Sequence, residues 1–247
     1  EKASAETTGG NSYYTAGATR IAHGGLDDLI DVIDADARHD QTIVPPYSAD
    51  EYSADLEKVT DGRNDPDLTR VLVEESGSTV RWLHSLGLRY RLMFERQAYE
   101  RPDGSFLFWG GLHIGNTGGG VGLIEDHTRA AHHLGVSIEY ETAATSLVLD
   151  GGRVVGVRTL KDGVEAVILA DSVILAADGF ESNREWRNTH LGPGWEHAKV
   201  RGTPHNDGTL ILAALKAGAA RGGDWGSAHS VQWDAHYPQN ESNRELT

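Results

Sequence analysis

The chain has 247 residues, enough for one large domain or two small ones and ample for a hydrophobic core. Its 22 basic and 37 acidic residues leave a formal charge of −15, which argues against a surface that tracks nucleic-acid phosphates and sets up long-range repulsion of anionic small molecules. Cysteine is absent, so disulfides, thiolate catalysis and sulfur-ligated iron are excluded, and no apolar run approaches the roughly 18 residues that a membrane helix needs.

The chain opens with Glu1-Lys2, a short polar stretch, and then Gly9-Gly10-Asn11-Ser12-Tyr13-Tyr14-Thr15-Ala16-Gly17-Ala18. A carboxylate can take both hydroxyls of a ribose, and a loop of small residues lets backbone N–H groups approach a diphosphate or a flat ring. Leu26, Leu29, Ile30 and Ile33 recur at helical spacing and predict a short amphipathic helix. Residues 40–64, with Pro45-Pro46 and scattered charge, read as irregular. Asp65-Pro66 then supplies an N-cap and a first-position proline for a helix to about Leu86, ended by Gly87. Leu68, Val71, Leu72, Val80, Trp82 and Leu83 are its expected apolar face, and Ser76-Gly77-Ser78 marks a weak point. Residues 88–94 and 106–109 read as strands flanking a turn at 101–105.

The glycine-dense run at 110–120 excludes a helix or central strand and reads as a loop. A helix over residues 122–134 should follow, then a strand at 136–140. Tight turns at Asp150-Gly151-Gly152 and Lys161-Asp162-Gly163 set out a β-meander from about Thr142. Val173-Ile174-Leu175, inside residues 171–177, has the continuous apolar character of a buried parallel strand. From Glu181 to Pro204 the chain reads as loop. Residues 209–217 form a strong helix closed by Gly218, with Asn206-Asp207-Gly208 at its positive end. Twelve histidines invite a metal reading, but His127, His132 and His133 do not share one helical face, and H-E-x-x-H is absent. No serine stands in a nucleophile-elbow context.

Five stretches in order then resemble one family. They are Glu1-Lys2 with residues 9–18, Thr117-Gly118-Gly119-Gly120-Val121-Gly122, Ile174-Leu175-Ala176-Ala177-Asp178-Gly179-Phe180, Asn206-Asp207-Gly208 and Ala228-His229. Together they are similar to the FAD-dependent fumarate reductase/succinate dehydrogenase flavoproteins. Within that family the wording, notably HLGPGWEHAKVRGTPHN, is most similar to tricarballylate dehydrogenase-like proteins. The resemblance implies an α/β, Rossmann-like FAD-binding domain over residues 1–228, with an inserted β-meander and lacking its first βα unit. Residues 229–247 would begin a capping, substrate-binding domain. The chain then reads as a piece of a longer flavoprotein.

The resemblance also implies roles. Glu1, followed by Lys2, would take the adenosine ribose. Gly10, Asn11 and Ser12 would lie near the phosphates and ribityl chain. Ala16 and Gly17 would lie against the isoalloxazine ring, with Gly17 also near substrate. The Ala144 backbone would meet adenine, Ala177 and Gly179 would end the strand under the cofactor, and Asp207 would sit in the family's Gly-Asp-Gly turn or serve as a plain helix cap. His229 would bind a substrate carboxylate, with Trp225 and Trp233 as pocket walls. His205 is the weaker histidine, more simply read as structural. Two positions depart from the family: Asp178 stands where many relatives have glycine, and Asn206 replaces the first glycine of the turn. The implied reaction exchanges a hydride between flavin and the CH–CH bond of a di- or tricarboxylate, using an electron partner that the sequence does not name. The family's proton-carrying arginine has no match before Thr247, so no catalytic residue is assigned. A neutral ring substrate, as in ketosteroid dehydrogenases, is the alternative, and a flavin-free scaffold is another. A cytoplasmic protein that neither binds nucleic acid nor inserts into membranes is expected.

Overall fold

Residues 1–229 and His236 are described by the computed structural model. The chain divides into two units, Thr15–Val136 and a second made of Glu1–Tyr14 with the chain from Ser137 onward.

The Thr15–Val136 unit contains, in order, β1 (Ala18–Thr19), α1 (Leu26–Leu29), β2 (Thr42–Ile43), α2 (Ala49–Thr60), α3 (Pro66–Ser85), β3 (Tyr90–Leu92), α4 (Phe94–Gln97), β4 (Ala98–Glu100), β5 (Phe106–Phe108), β6 (Ile114–Asn116) and α5 (Gly119–His133). Local chemistry sets the helix ends. Asp65 Oδ1 accepts from the N–H groups of Asp67 and Leu68 at 2.9 and 3.0 Å, so α3 starts where the sequence places it. Helix α2 falls inside the stretch expected to be irregular. Its start is a reciprocal capping box in which Ser48 accepts from Glu51 N–H and Glu51 accepts from Ser48 N–H, a signal present in Ser48-x-x-Glu51.

Helix α3 turns inward a face that shares Val80 and Leu83 with the predicted one but is centred elsewhere. Val73, Ser76 and Val80 are buried, whereas Leu68, Val71, Leu72 and Trp82 are exposed. Ser76 explains the choice: its Oγ donates to the Val73 carbonyl and accepts from Ala22 N–H at 3.0 Å, so this polar position packs inward and α3 runs unbroken through Gly77. Strand β3 does not pair with β5. Both β1 and β3 run antiparallel to β6, which lies in the run expected to be a loop, and β5 pairs with β4 across the 101–105 turn and with β2 in parallel. Leu29, Val32, Val80, Tyr90, Leu92, Phe108 and Ile114 share the core of this unit.

The second unit carries β7 (Ala143–Asp150), β8 (Arg153–Lys161), β9 (Val164–Leu169), α6 (Arg184–Leu191) and α7 (Thr209–Lys216). The three strands form the expected antiparallel meander. Helix α6 lies in a stretch expected to be loop, capped by Asn183, whose side chain accepts from Trp186 N–H. Two strand expectations are corrected. Residues 136–140 form no strand, and residues 171–177 join no ladder among the described residues. A parallel strand is buried only when neighbours flank it, and here Ile174 is 91% exposed. The α/β class stands.

Candidate functional site

Backbone bonds place the opening residues beside the meander. The Glu1 backbone nitrogen donates to the Glu139 carbonyl at 3.0 Å, Thr142 N–H to the Glu1 carbonyl at 2.9 Å and Glu141 N–H to the Ala3 carbonyl at 3.0 Å. These bonds fix Glu1 next to the chain that enters β7 at Ala143-Ala144. Ala144 itself lies opposite Thr159, at an irregularity between Ala144 and Ser146. Ala3 N–H donates to Glu1 Oε1 at 2.8 Å and the Thr8 hydroxyl to Oε2 at 3.2 Å. The Glu1 side is exposed to solvent, so each oriented oxygen keeps acceptor capacity for a vicinal diol.

A second network joins the small-residue loop to the chain after residue 177. Asn11 Nδ2 donates to Glu181 Oε1 at 2.7 Å and its Oδ1 accepts from Thr203 N–H at 3.1 Å. Both ends of the Asn11 amide are thus engaged by protein, which makes it a clamp on its own loop. Ser12 is exposed, and Gly10, at φ +52°, faces open space at its missing Cβ. Glu181 tucks its other oxygen against Gly179, where a Cβ would come within 2.6 Å and push that carboxylate aside. Burial pushes the Glu181 carboxyl above the usual carboxylate range, and the neighbouring Asp178 charge adds to the effect. Sequence reasoning missed Glu181 and Thr203 because their contacts to Asn11 span 170 and 192 residues.

Lys2 Nζ and Asp207 Oδ2 form an ion pair at 2.8 Å, and Asp207 Oδ1 accepts from Thr209 N–H at 3.0 Å. Asp207 thus accepts from the first N–H of α7, one residue before its Gly208 cap, and ties that end to the opening residues. Burial would raise its pKa, but the hydrogen bonds from Lys2 and Thr209 outweigh it and hold the carboxyl low. Ala177 is exposed at the end of the unpaired run. Trp225 stacks with Phe180 and meets Trp186 and His190, so it belongs to an aromatic cluster. His229 is exposed, His205 is half-buried near Lys2, and Trp233 lies outside the described residues.

Ala16 and Gly17 belong to the Thr15–Val136 unit. Gly17 has φ +68°, and a Cβ on it would stand 2.8 Å from the carbonyl carbon and oxygen of Gly119. Gly120 N–H donates to the Thr15 carbonyl and Asn116 N–H to the Gly17 carbonyl, both at 2.9 Å. Two glycine segments thus interlock backbone to backbone, which alone requires the absent side chain at residue 17.

The same unit buries a histidine pair that the sequence did not single out. His23 Nδ1 accepts from Gly25 N–H at 3.0 Å, so neutral His23 carries its proton on Nε2 and donates it to His113 Nδ1 at 2.9 Å. The proton of His113 is then on Nε2, which has no hydrogen-bond partner among the described residues. Burial, reinforced by His23, pushes His113 down to about 4. Between its unfolded value of 6.5 and about 4 the unfolded chain binds the extra proton, so stability falls as pH falls through that window. The expected loss by pH 4 is on the order of 3 kcal/mol. Urea unfolding at pH 7 and pH 4.5 checks this: the acid penalty should shrink in His113→Phe, and an unchanged penalty would remove His113 as its source.

Comparison with known proteins places the chain in a family. Residues 11–234 match the family described as FAD binding domain. An NADH:acrylate oxidoreductase from Vibrio harveyi is 29% identical over 158 residues, 62% of this chain and 15% of that enzyme. A flavocytochrome c3 fumarate reductase in its open conformation is similar at TM-score 0.64 and 23% identity, covering 86% of this chain and 35% of that one. The 3-ketosteroid Δ1-dehydrogenase of Sterolibacterium denitrificans is similar at TM-score 0.69 and 18% identity, covering 89% and 50% respectively. The chain thus spans only part of each relative. The exposed Glu1 carboxylate and the open space at Gly10 suit a dinucleotide with a diol and a diphosphate. The chain belongs to the FAD binding domain family, and FAD is its cofactor.

Proposed function

We propose that this chain is the flavin-holding part of an FAD-dependent oxidoreductase acting on the CH–CH bond of a small carboxylate, in the manner of fumarate reductases and tricarballylate dehydrogenases. The observation that carries the reading is its likeness, within the FAD binding family, to an enzyme named for acrylate, a carboxylate with an adjacent C=C bond. Bound FAD supplies hydride acceptance or donation at its ring. In this reading Glu1 holds the ribose hydroxyls and residues 10–12 face the diphosphate and ribityl chain. Ala144 meets adenine through its backbone, Ala16 and Gly17 leave room for the ring, and Asp207 with Lys2 sets the α7 end of the cradle. His229 takes a substrate carboxylate, at the start of a substrate domain from residue 229. With a net charge of −15, carboxylate capture relies on such local groups. An external electron carrier completes turnover, and the protein works in the cytoplasm. Among the described residues, no helix is long and apolar enough to cross a membrane.

The ketosteroid reading is favoured by one observation, the fold similarity to the Sterolibacterium enzyme. Dye-linked assays of the full-length protein decide between them. Activity on tricarballylate, succinate, fumarate or acrylate is expected, and activity confined to 3-ketosteroids would overturn the carboxylate reading. Glu1→Gln, in the same protein, should weaken FAD binding about tenfold with little change in melting temperature, because an amide accepts one fewer strong hydrogen bond from a diol. Unchanged affinity in a flavin titration would remove Glu1 from the cradle.

A further inference from the structure

The two residues that depart from the family's glycines are hydrogen-bonded to each other. Asn206 Nδ2 donates to Asp178 Oδ2 at 2.6 Å. Asp178 adopts φ +59°, a left-handed conformation that glycine takes freely and aspartate tolerates better than most residues. Asn206 is 7% exposed, so its amide needs a partner. Around this bond Ser182 N–H donates to the Asn206 carbonyl at 2.9 Å, and Asn183 Nδ2 to the Asp207 carbonyl at 3.0 Å. The bond therefore links the segment of Gly179 to the turn of Asp207, two of the positions assigned to the cofactor above.

We propose that Asp178 and Asn206 are a matched pair of positioning residues for FAD: the bond from Asn206 holds the Asp178 carboxylate turned away from the diphosphate, which limits its repulsion, and replaces the fit that two glycines would give. Neither substitution is well tolerated alone. An unengaged carboxylate beside a diphosphate site opposes anion binding, and a buried amide without its acceptor loosens the Asp207 turn. The inference rests on reading Gly179 and Asp207 as cofactor contacts.

A substitution cycle on the purified full-length protein tests it, with FAD affinity read by flavin fluorescence and folding by melting temperature. Asn206→Gly should weaken FAD binding about tenfold, and Asp178→Gly/Asn206→Gly should return it to within about threefold of the starting protein. Asp178→Asn in the Asn206→Gly background should also recover affinity, because it keeps the side-chain shape and removes the charge. A purely structural bond would not be restored that way. Wild-type affinity in Asn206→Gly, or no recovery in either double variant, would overturn the pairing. Should Glu1→Gln weaken binding while this cycle shows no coupling, the cradle stands and only the pairing fails; an unaffected Glu1→Gln instead counts against the cradle.

Discussion

Replacing Arg187 with alanine is expected to destabilise the unit of Glu1–Tyr14 and the chain from Ser137 by about 3–5 kcal/mol. The Arg187 side chain is 4% exposed, and its guanidinium donates to four backbone carbonyls: Glu181, Trp195 at 2.9 Å, and Glu196 and Ala198 at 3.2 Å each. Burial lowers its pKa, yet arginine stays charged throughout the accessible pH range. One planar fork thus gathers the chain after α6 into a closed loop and sets the Glu181 backbone, from which the carboxylate reaches Asn11. Lysine carries the charge without the fork, so Arg187→Lys should recover only a minor part of the loss. Thermal unfolding and amide exchange over residues 195–203 provide the measurement. A lysine variant that melts with the parent protein would show that the fork is dispensable.

Asp126→Ala is expected to cost the Thr15–Val136 unit about 2–4 kcal/mol. The Asp126 side chain is fully buried on α5 and accepts from Arg89 N–H at 2.9 Å, the Arg89 guanidinium at 3.0 Å and the Arg129 guanidinium at 2.7 Å. Both arginines are about half exposed and would stay hydrated, which keeps the cost below that of stranding a fully buried cation. Asp126→Asn should behave similarly, because its amide NH₂ faces donors. Burial raises the Asp126 pKa, but the bonds from Arg89 and Arg129 outweigh it and hold the carboxyl below its ordinary 3.8. A depressed carboxylate stabilises the fold above its unfolded pKa and loses that contribution as pH falls through the folded one, so this loss begins below the window set by His113. Urea unfolding of both variants at pH 7 is the check; a change under about 1 kcal/mol would demote the cluster to a surface ion pair.

The elements that read correctly from the sequence depend on neighbours within a few positions. The Asp65-Pro66 cap starts α3, the tight turns at residues 150–152 and 161–163 set the meander, and Gly135 and Gly218 close α5 and α7. The ordered motifs likewise pointed to the flavin family before any contact was known, because the small residues and the acid must keep fixed places along the chain. The capping box of α2 was legible and overlooked. Other features were decided only by tertiary structure, since each depends on partners far along the chain. Ser76, held by Ala22, turned α3 onto Val73 and Val80; the 171–177 run stayed exposed because an apolar sequence cannot supply its own flanking strands. Asn11 became a clamp when the fold brought Glu181 and Thr203 to it, and Asp178 and Asn206, two separate oddities in the sequence, became one hydrogen bond. Composition and local turns thus set which chemistry the chain can host, and long-range packing set which side chains are buried, which stay exposed and which hold the others in place, because burial and pairing are properties of neighbours in space.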